Sequence, residues 1–239
     1  MMSVGLLFFL FVITFLLGSI PWGVVISKVF YKKDIRDEGS GNIGTTNAMR
    51  AMGKVGGSAV FALDFLKGIL SGWLGYFIWG GLLVGEFALP TAEMYAMFSG
   101  ESSGTLTISE GAVRSLCASV SFLGCIWGHV FSPWLGFRGG KGIAVAIGCL
   151  FFTLGVIDSL IELGLFIVIV ALTRYISLGS VAAAVLCPFL AFWTLWGNWA
   201  SIILVTIGAL TILWAHRGNI SRLVQGCERK IGSQKQSEA

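Results

Sequence analysis

The stretch that decides the fold is the first apolar run of the chain, Val4–Phe30, which reads VGLLFFLFVITFLLGSIPWGVVISKVF. It carries a single charged side chain, Lys28, near its end. Because a membrane-spanning helix needs roughly 20 mainly apolar residues, this run is long enough to cross a bilayer. Pro21 closes the sequence Gly18–Ser19–Ile20–Pro21, and its missing N–H predicts a kink that leaves a carbonyl free. The run therefore predicts a kinked membrane span.

The composition is typical of a membrane protein. Of the 239 residues, 56% are hydrophobic and 12% are charged, whereas soluble domains have about 25% charged residues. The mean hydropathy is +0.86, and such a chain cannot hide its apolar side chains in one water-soluble core. The net charge of +4 is too small to indicate nucleic acid as a partner. It suits anionic lipid headgroups or phosphorylated small molecules.

Six further apolar runs follow the first, and together they predict an all-α integral membrane protein with seven transmembrane helices in a single domain, residues 1–239. The predicted spans are 4–30, 57–84, 112–131, 142–157, 161–174, 176–196 and 199–216, followed by a polar cytoplasmic tail, 217–239. The fourth and fifth spans are short and could instead form one long tilted helix. Because Asp158 and Glu162 would be costly inside a bilayer, we expect a turn there that places both acids at the interface.

Charge placement predicts the orientation of these spans. Lysine and arginine are concentrated in the first, third and fifth loops and in the tail, whereas the loop at 85–111 has four glutamates and no basic residue. By the positive-inside rule, the N-terminus lies outside and the C-terminus in the cytoplasm. The five cysteines form no CxxC pair, so we expect neither disulfides nor zinc. We expect no metal between His129 and His216, because no third ligand has suitable spacing.

The most polar loop, Gly39–Arg50, reads GSGNIGTTNAMR. Its glycines let backbone N–H groups converge on a small concavity, and its hydroxyl and amide side chains can donate hydrogen bonds. Arg50 can bind a phosphate through two parallel hydrogen bonds. The loop could instead be a flexible connector, but its polar side chains are closely spaced between glycines. We predict an anion-binding loop whose candidate polar side chains are Ser40, Asn42, Thr45, Thr46 and Asn47.

Two other segments rich in glycine and cations are predicted on the same membrane face. The run 138–142 opens the fourth span, where the N–H groups of a helix N-terminus and the charge of Lys141 would attract an anion. The segment 216–230 follows the last span, and His216 and Asn219 share one face if the helix continues. Either segment could instead be a basic helix end that binds lipid phosphates. Taken together, the three segments predict one site for phosphorylated reactants.

These segments resemble the bacterial acyl-phosphate-dependent glycerol-3-phosphate acyltransferases, the PlsY family, and the resemblance covers most of the chain. It rests on Gly18–Pro21, Gly39–Arg50, Gly128–His129 with Phe137–Gly142, Arg174–Leu178, and His216–Arg217 with Asn219, Arg222, Leu223, Gly226 and Glu228. Members of this family are seven-helix, multi-pass enzymes of the bacterial cytoplasmic membrane. The resemblance implies transfer of a fatty acyl group from acyl phosphate to the sn-1 hydroxyl of glycerol 3-phosphate. The products would be phosphate and lysophosphatidate, in the first acylation step of phospholipid synthesis.

The resemblance also implies residue roles at an active site on the cytoplasmic face. The glycerol 3-phosphate ligands and catalytic residues would be Ser40, Arg50, Lys141, His216 and Asn219. The other substrate-binding residues, mainly near the acyl phosphate, would be Asn42, Thr46, Asn47, Gly139, Gly140, Gly142, Ser177 and Ser180. Glu228 would brace the tail. No cofactor is implied, the general base stays open between Glu228, His216 and a substrate phosphate, and the enzyme that makes acyl phosphate would be a functional partner.

Three other functions fit an integral membrane protein. A transporter of a phosphorylated small molecule would need polar groups on both faces and midway through the spans, and the outer face lacks a basic site. An intramembrane serine protease would need a serine motif and a paired histidine inside the bilayer, which Ser180 and His216 do not supply. A non-catalytic scaffold would leave the anion-binding loops without a purpose. The choice of acyl phosphate over acyl-CoA rests on the resemblance alone.

Overall fold

Helices joined by short loops make up the part of the chain that the structure describes, and no strand occurs in it. The computed structural model describes residues 2–84 and 110–232. The helices are α1 (Met2–Ser19), α2 (Trp22–Tyr31), α3 (Thr45–Trp73), α4 (Glu110–Val130), α5 (Ile143–Thr153), α6 (Val156–Thr173), α7 (Ile176–Thr194), α8 (Trp199–Ala215) and α9 (Arg217–Val224). The predicted all-α class is confirmed. Most of the predicted outer loop and the last residues of the tail lie outside the described residues.

The break between α1 and α2 is set by Pro21, as the sequence predicts. The proline has no N–H to continue the helix, so carbonyl oxygens before it become available to other partners. The Ser19 carbonyl accepts a hydrogen bond from the Ser132 hydroxyl at 2.7 Å, and the Ile20 carbonyl accepts one from the Lys67 ammonium at 2.8 Å. The break thus anchors side chains from two distant parts of the chain.

Helix α3 begins inside the polar loop and is bent at Gly53. Residues 45–52 form two helical turns before the bend, where Gly53 has φ +74°, a conformation that glycine adopts without a steric penalty. Beyond the bend the helix runs into a π-helical stretch, Leu74–Trp79, and continues to residue 84. The predicted span at 57–84 is the part beyond the bend. The sequence does not predict the two helical turns that precede it.

The turn between α5 and α6 lies at residues 154–155, earlier than predicted. Gly155 has φ +91° and ends α5, whereas the carboxylates at 158 and 162 belong to α6. Asp158 accepts a hydrogen bond from the Thr194 hydroxyl at 2.7 Å. Glu162 is 3% exposed and lies inside the helix bundle. The prediction of a turn at these acids is therefore wrong, because the glycine and not the carboxylates sets the break.

The described residues contain five helical stretches that are long and apolar enough to cross a membrane: Val4–Tyr31, Thr45–Val84, Glu110–Leu135, Val156–Thr173 and Ile176–Thr194. Helices α8 and α9 qualify as one further span when taken together, although the pair is bent by 55°. Helix α5 has 11 residues, which is about 16 Å long and roughly half of the hydrocarbon core. The structure thus gives five or six candidate spans, against the seven predicted.

Glycines bring helices into backbone contact on both sides of the loop that joins α4 to α5. A Cβ on Gly128 of α4 would lie 2.0 Å from the Phe15 carbonyl oxygen of α1. A Cβ on Gly148 of α5 would lie 2.3 Å from the Phe65 carbonyl oxygen of α3. Small residues allow such close approach between membrane helices. This packing fixes the end of α4 and the start of α5, and so holds both ends of the loop that joins them.

Candidate active site

The first loop, residues 39–50, is held in shape by the amide of Asn47. Its Oδ1 accepts a hydrogen bond from the Ser40 N–H at 2.8 Å, and its Nδ2 donates to the carbonyls of Ile35 and Glu38 at 3.1 and 2.9 Å. The side chain is buried, with 2% of its surface exposed. Because both amide hydrogens are used within the protein, Asn47 braces the loop and has no hydrogen to offer a substrate.

Other side chains of the first loop remain accessible. Ser40 and Arg50 are exposed, and Thr46 is half-buried in the first turn of α3. The Asn42 side chain accepts from the Gly44 N–H at 2.9 Å, which uses its oxygen and leaves its amide hydrogens for a ligand. The loop therefore offers hydroxyl and amide hydrogens and one guanidinium, which suits the oxygen atoms of a phosphate.

The second loop, residues 131–142, folds back on the end of α4. The Gly139 N–H donates to the Val130 carbonyl at 2.9 Å, and the Gly140 N–H donates to the His129 carbonyl at 3.0 Å. Both N–H groups are thus occupied, although the resemblance places them near the acyl phosphate. The N–H groups left for an anion are those at the N-terminus of α5, because the first residues of a helix lack carbonyl partners.

Gly142 and Lys141 lead the second loop into α5. Gly142 precedes the first residue of the helix and has φ +88°. Lys141 is half-buried, and its ammonium donates a hydrogen bond to Oδ1 of Asn219 in α9. A full positive charge therefore stands beside a helix N-terminus, and both attract an anion.

The contact between Lys141 and Asn219 extends to the Glu228 carboxylate within the tail segment, residues 216–232. Asn219 Nδ2 donates to Glu228 Oε1 at 2.8 Å, and Arg222 Nε donates to Glu228 Oε2 at 2.6 Å. Burial opposes ionisation of Glu228, but the hydrogen bonds from Asn219 and Arg222 outweigh it and hold the pKa of the carboxyl below its usual value. Glu228 is a charged group with both oxygens engaged, which fits the bracing role that the resemblance implies.

His216 and Ser180 use part of their hydrogen-bonding capacity inside the protein. His216 is buried between α8 and α9, with Nδ1 2.8 Å from the Ile212 carbonyl oxygen. Since a carbonyl can only accept, Nδ1 carries a proton and Nε2 of the neutral ring is left as an acceptor. The Ser180 hydroxyl donates to the Ile176 carbonyl at 2.9 Å within α7. Ser180 therefore has lone pairs but no hydrogen for a ligand.

The end of the tail segment is fastened to the turn between α6 and α7. The Ile231 N–H donates to the Arg174 carbonyl at 2.8 Å, and Arg174 Nη2 donates to the Ile231 carbonyl at 2.8 Å. Ser177, which is buried at the start of α7, lies beside the Glu228 carboxylate. The tail thus joins the α6–α7 turn to the other segments.

Cations from three distant segments lie close enough for their charges to interact. Arg50 of the first loop interacts with Arg222, Glu228 and Arg229 of the tail segment, and Lys141 of the second loop interacts with Arg50, Arg222 and Glu228. Four cations and one carboxylate therefore share one region. This excess of positive charge favours negatively charged reactants. The prediction that the three segments meet at one place is confirmed.

Two groups beside the site escape prediction from the sequence. Arg222 is one of the residues that carry the resemblance, which implies no role for it. Its guanidinium pairs with the Glu228 carboxylate. Asp64 and Lys67 form a buried ion pair with 2.8 Å between Oδ1 and Nζ, and Lys67 also contacts His129. A carboxylate and an ammonium three residues apart within an apolar span is the signal that could have identified them.

Comparison with known proteins decides the family. The family model described as glycerol-3-phosphate acyltransferase matches residues 8–226. The chain is 35% identical to the glycerol-3-phosphate acyltransferase of Clostridioides difficile over 94% of this chain and 95% of the relative. It is 34% identical to that of Listeria monocytogenes, with 94% and 96% covered. The chain belongs to the glycerol-3-phosphate acyltransferase family.

Two solved structures of a glycerol-3-phosphate acyltransferase share this fold. They are crystal structures of PlsY (YgiH), an integral membrane glycerol 3-phosphate acyltransferase, in a glycerol 3-phosphate form and a lysophosphatidic acid form. Their TM-scores are 0.72 and 0.69 at 30% identity, with 95% of this chain covered and 96% and 95% of theirs. The resemblance to the PlsY family is confirmed, and the chain is an integral membrane enzyme rather than a transporter, protease or scaffold.

Proposed function

We propose that the chain transfers a fatty acyl group from acyl phosphate to the sn-1 hydroxyl of glycerol 3-phosphate. The observation that supports this most strongly is the convergence of Arg50, Lys141, Arg222 and Arg229 on one region. Each reactant carries a phosphate, and these cations offset the repulsion between the two. The forms in which the solved PlsY relatives are described support the same substrate and product.

The reaction exchanges one carbon–oxygen bond for another. The sn-1 oxygen attacks the acyl carbonyl carbon, an ester bond forms, and the bond from that carbon to the phosphate oxygen breaks. The leaving phosphate takes the electron pair and the hydroxyl proton, so lysophosphatidate and phosphate result. Because phosphate leaves readily, the work of the enzyme is to place the hydroxyl at the carbonyl, and well-oriented reactants can gain roughly 7–11 kcal/mol in this way.

We assign the roles that the resemblance implies, except that the contacts of Asn47 make it a bracing residue. Glycerol 3-phosphate is bound by Ser40, Arg50, Lys141, His216 and Asn219. Around the acyl phosphate lie Asn42, Thr46, Ser177, Ser180 and the run Gly139–Gly142, with the free N–H groups of α5. Asn47 and Glu228 hold the first loop and the tail segment in place.

The contacts of Glu228 and His216 decide which of them can help to move the proton. Both oxygens of Glu228 accept hydrogen bonds from Asn219 and Arg222, and its pKa is lowered, so it is a poor base. Nε2 of His216 keeps a free lone pair and can accept the substrate hydroxyl. His216 therefore orients the hydroxyl, and the departing phosphate takes the proton.

The donor can be tested directly with the purified protein. It is incubated with glycerol 3-phosphate and either acyl phosphate or acyl-CoA of the same chain length, and lysophosphatidate is measured by mass spectrometry. We expect lysophosphatidate with acyl phosphate as the donor and none with acyl-CoA. The product should be acylated at the sn-1 position. Product from acyl-CoA with acyl phosphate inert would overturn the proposed donor, and a product acylated at sn-2 would overturn the proposed acceptor oxygen.

Lys141 should make turnover depend on pH. Burial, with repulsion from Arg222 and Arg50, outweighs attraction by Glu228 and lowers the pKa of Lys141 to about 8. Only the protonated ammonium attracts a phosphate, so we expect kcat/KM for glycerol 3-phosphate to fall roughly tenfold per pH unit above this pKa. Lys141→Arg stays charged and should lack this fall, whatever its overall activity. A wild-type profile that stays flat to about pH 10, near the pKa of an ordinary lysine, would contradict the prediction.

We further propose a single domain over residues 1–239 with seven crossings in the bacterial inner membrane. The N-terminus lies outside, the active site faces the cytoplasm, and the enzyme that makes acyl phosphate is the functional partner there. The basic side chains of the first loop, second loop and tail segment support this orientation through the positive-inside rule.

The natural cysteines provide a test of the orientation. Cys227 in the tail segment is exposed, whereas the other four cysteines of the chain are buried. A membrane-impermeant maleimide should label inverted vesicles and leave intact spheroplasts unlabelled, with Cys227→Ser as the unlabelled control in both. Labelling of Cys227 in intact spheroplasts would place the tail outside and overturn the orientation.

A further inference from the structure

Three buried side chains form a cluster behind the second loop. Asp64 and Lys67 of α3 and His129 of α4 are 2%, 4% and 4% exposed. Taking an ion pair out of water is costly, and replacing it with apolar residues is often neutral or stabilising. Stability alone is therefore a weak explanation for charges at this position, and their contacts point to another role.

The Lys67 ammonium contacts three groups, two through hydrogen bonds and one as an ion pair. It donates to the Ile20 carbonyl at 2.8 Å and to His129 Nδ1 at 3.1 Å, and it pairs with Asp64 Oδ1 at 2.8 Å. These partners belong to the break before α2, to α4 and to α3 itself. An ammonium has no lone pair, so His129 Nδ1 must accept and carries no proton.

The same contacts place the proton of His129 on its other ring nitrogen. The distance from Asp64 Oδ1 to His129 Nδ1 is 3.8 Å, too long for a hydrogen bond between them. Nδ1 therefore has Lys67 as its donor, and the neutral ring is the Nε2–H tautomer. His216 is the opposite case, because its Nδ1 donates to the Ile212 carbonyl.

His129 Nε2 lies directly against the second loop. A Cβ on Gly140 would be 2.1 Å from this nitrogen, so the ring fills the space where a side chain would stand. The carbonyl of His129 also accepts the Gly140 N–H at 3.0 Å. The ring and the backbone of one residue thus fix Gly140, and Lys141 is the next residue along the chain.

We propose that Lys67 is a positioning residue that, together with Asp64, fixes the ring orientation and the Nε2–H tautomer of His129 and through that ring the place of Gly140 and Lys141. The effect on acyl transfer rests on the function proposed above, whereas the tautomer does not. A cluster that serves only stability is the competing explanation, and the two experiments below separate it from positioning.

The tautomer can be read from nitrogen-15 spectra of protein labelled at histidine, because the chain has 2 histidines. We expect one Nε2–H ring and one Nδ1–H ring, and His129→Gln should remove the former. In Lys67→Met, the His129 ring loses its donor and its Nδ1 should gain a proton, while His216 stays unchanged. An Nδ1–H tautomer for His129 in the wild type, or an unchanged His129 signal in Lys67→Met, would overturn the proposal.

Activity is measured on the double variant Asp64→Asn/Lys67→Met. It removes both charges together and leaves no unpaired buried charge, so the fold should be kept. We expect a thermal midpoint close to that of the wild type, with kcat/KM for glycerol 3-phosphate at least about 30-fold lower, because a misplacement near 1 Å can cost 10²-fold. Glu162→Gln is the matched control, since it neutralises a buried carboxylate elsewhere and should keep full activity.

The outcomes separate positioning from stability. If the double variant has wild-type kcat/KM, the cluster serves only stability and the proposal is wrong. If the wild type itself forms no lysophosphatidate, the proposed function fails, and the spectra still decide whether Lys67 sets the tautomer of His129.

Discussion

Lys141→Met should reduce acyl transfer by about 10³-fold, or about 4 kcal/mol of transition-state stabilisation, the upper range for loss of one preorganised electrostatic group. Lys141 stands beside the free N–H groups of α5 and hydrogen-bonds to Asn219, which in turn contacts Glu228. Methionine keeps the apolar stem of the side chain and removes only the charge and its hydrogens. The measurement is kcat/KM for glycerol 3-phosphate with protein purified in detergent.

The matched control for this variant is Lys54→Met. Lys54 is exposed beyond the bend of α3 and has no part in the proposed site, so the same substitution there should keep wild-type activity. Arg50→Ala and Asn219→Ala should abolish transfer without unfolding, because under the proposed roles each removes another polar contact to glycerol 3-phosphate. Near-normal turnover by folded Lys141→Met would remove the main support for the anion site.

Gly139→Ala should lower kcat/KM by about 10²-fold, because a misplacement near 1 Å in an active site can cost this much. The new Cβ would lie 1.9 Å from the His129 carbonyl oxygen and 3.0 Å from that of Val130. Both are backbone atoms at the end of α4, so the second loop must move, and Lys141 moves with it.

The control for Gly139→Ala is Gly164→Ala in α6. A Cβ at Gly164 meets no atom within 4 Å, so the same added methyl group should leave turnover unchanged. The thermal midpoints of both variants show whether the loop has shifted within an intact fold. A Gly139→Ala enzyme as active as the Gly164→Ala control would show that the second loop tolerates displacement.

The meeting of the three polar segments could be predicted from local sequence. Lysine and arginine fall on alternate loops of an apolar chain, and this pattern places Arg50, Lys141 and Asn219 on one face before any contact is known. Pro21 marks the first helix break in the same way, because proline removes an N–H whatever surrounds it. Both predictions depend on properties that a residue has alone or with its near neighbours.

Other features depend on contacts between distant residues and could not be predicted in this way. Asn47 belongs to a motif typical of anion binding, yet its amide is used by carbonyls of the preceding turn. Lys67 and His129 are 62 residues apart in sequence, and no local pattern pairs them. The expected cost of Glu162 in a bilayer suggested a turn, but Gly155 sets the break and the bundle covers the carboxylate.

The two hydrogen bonds between Ile231 and Arg174 can form only after all the described helices have been synthesised. Glu228 leaves the ribosome after every described helix has been made, since the last of them ends at Val224. A nascent chain that stops before residue 227 would contain those helices but leave Asn219 and Arg222 without their shared carboxylate. With the roles proposed above, catalytic competence would then arise only after residue 228 has been made and the tail segment has docked on the α6–α7 turn.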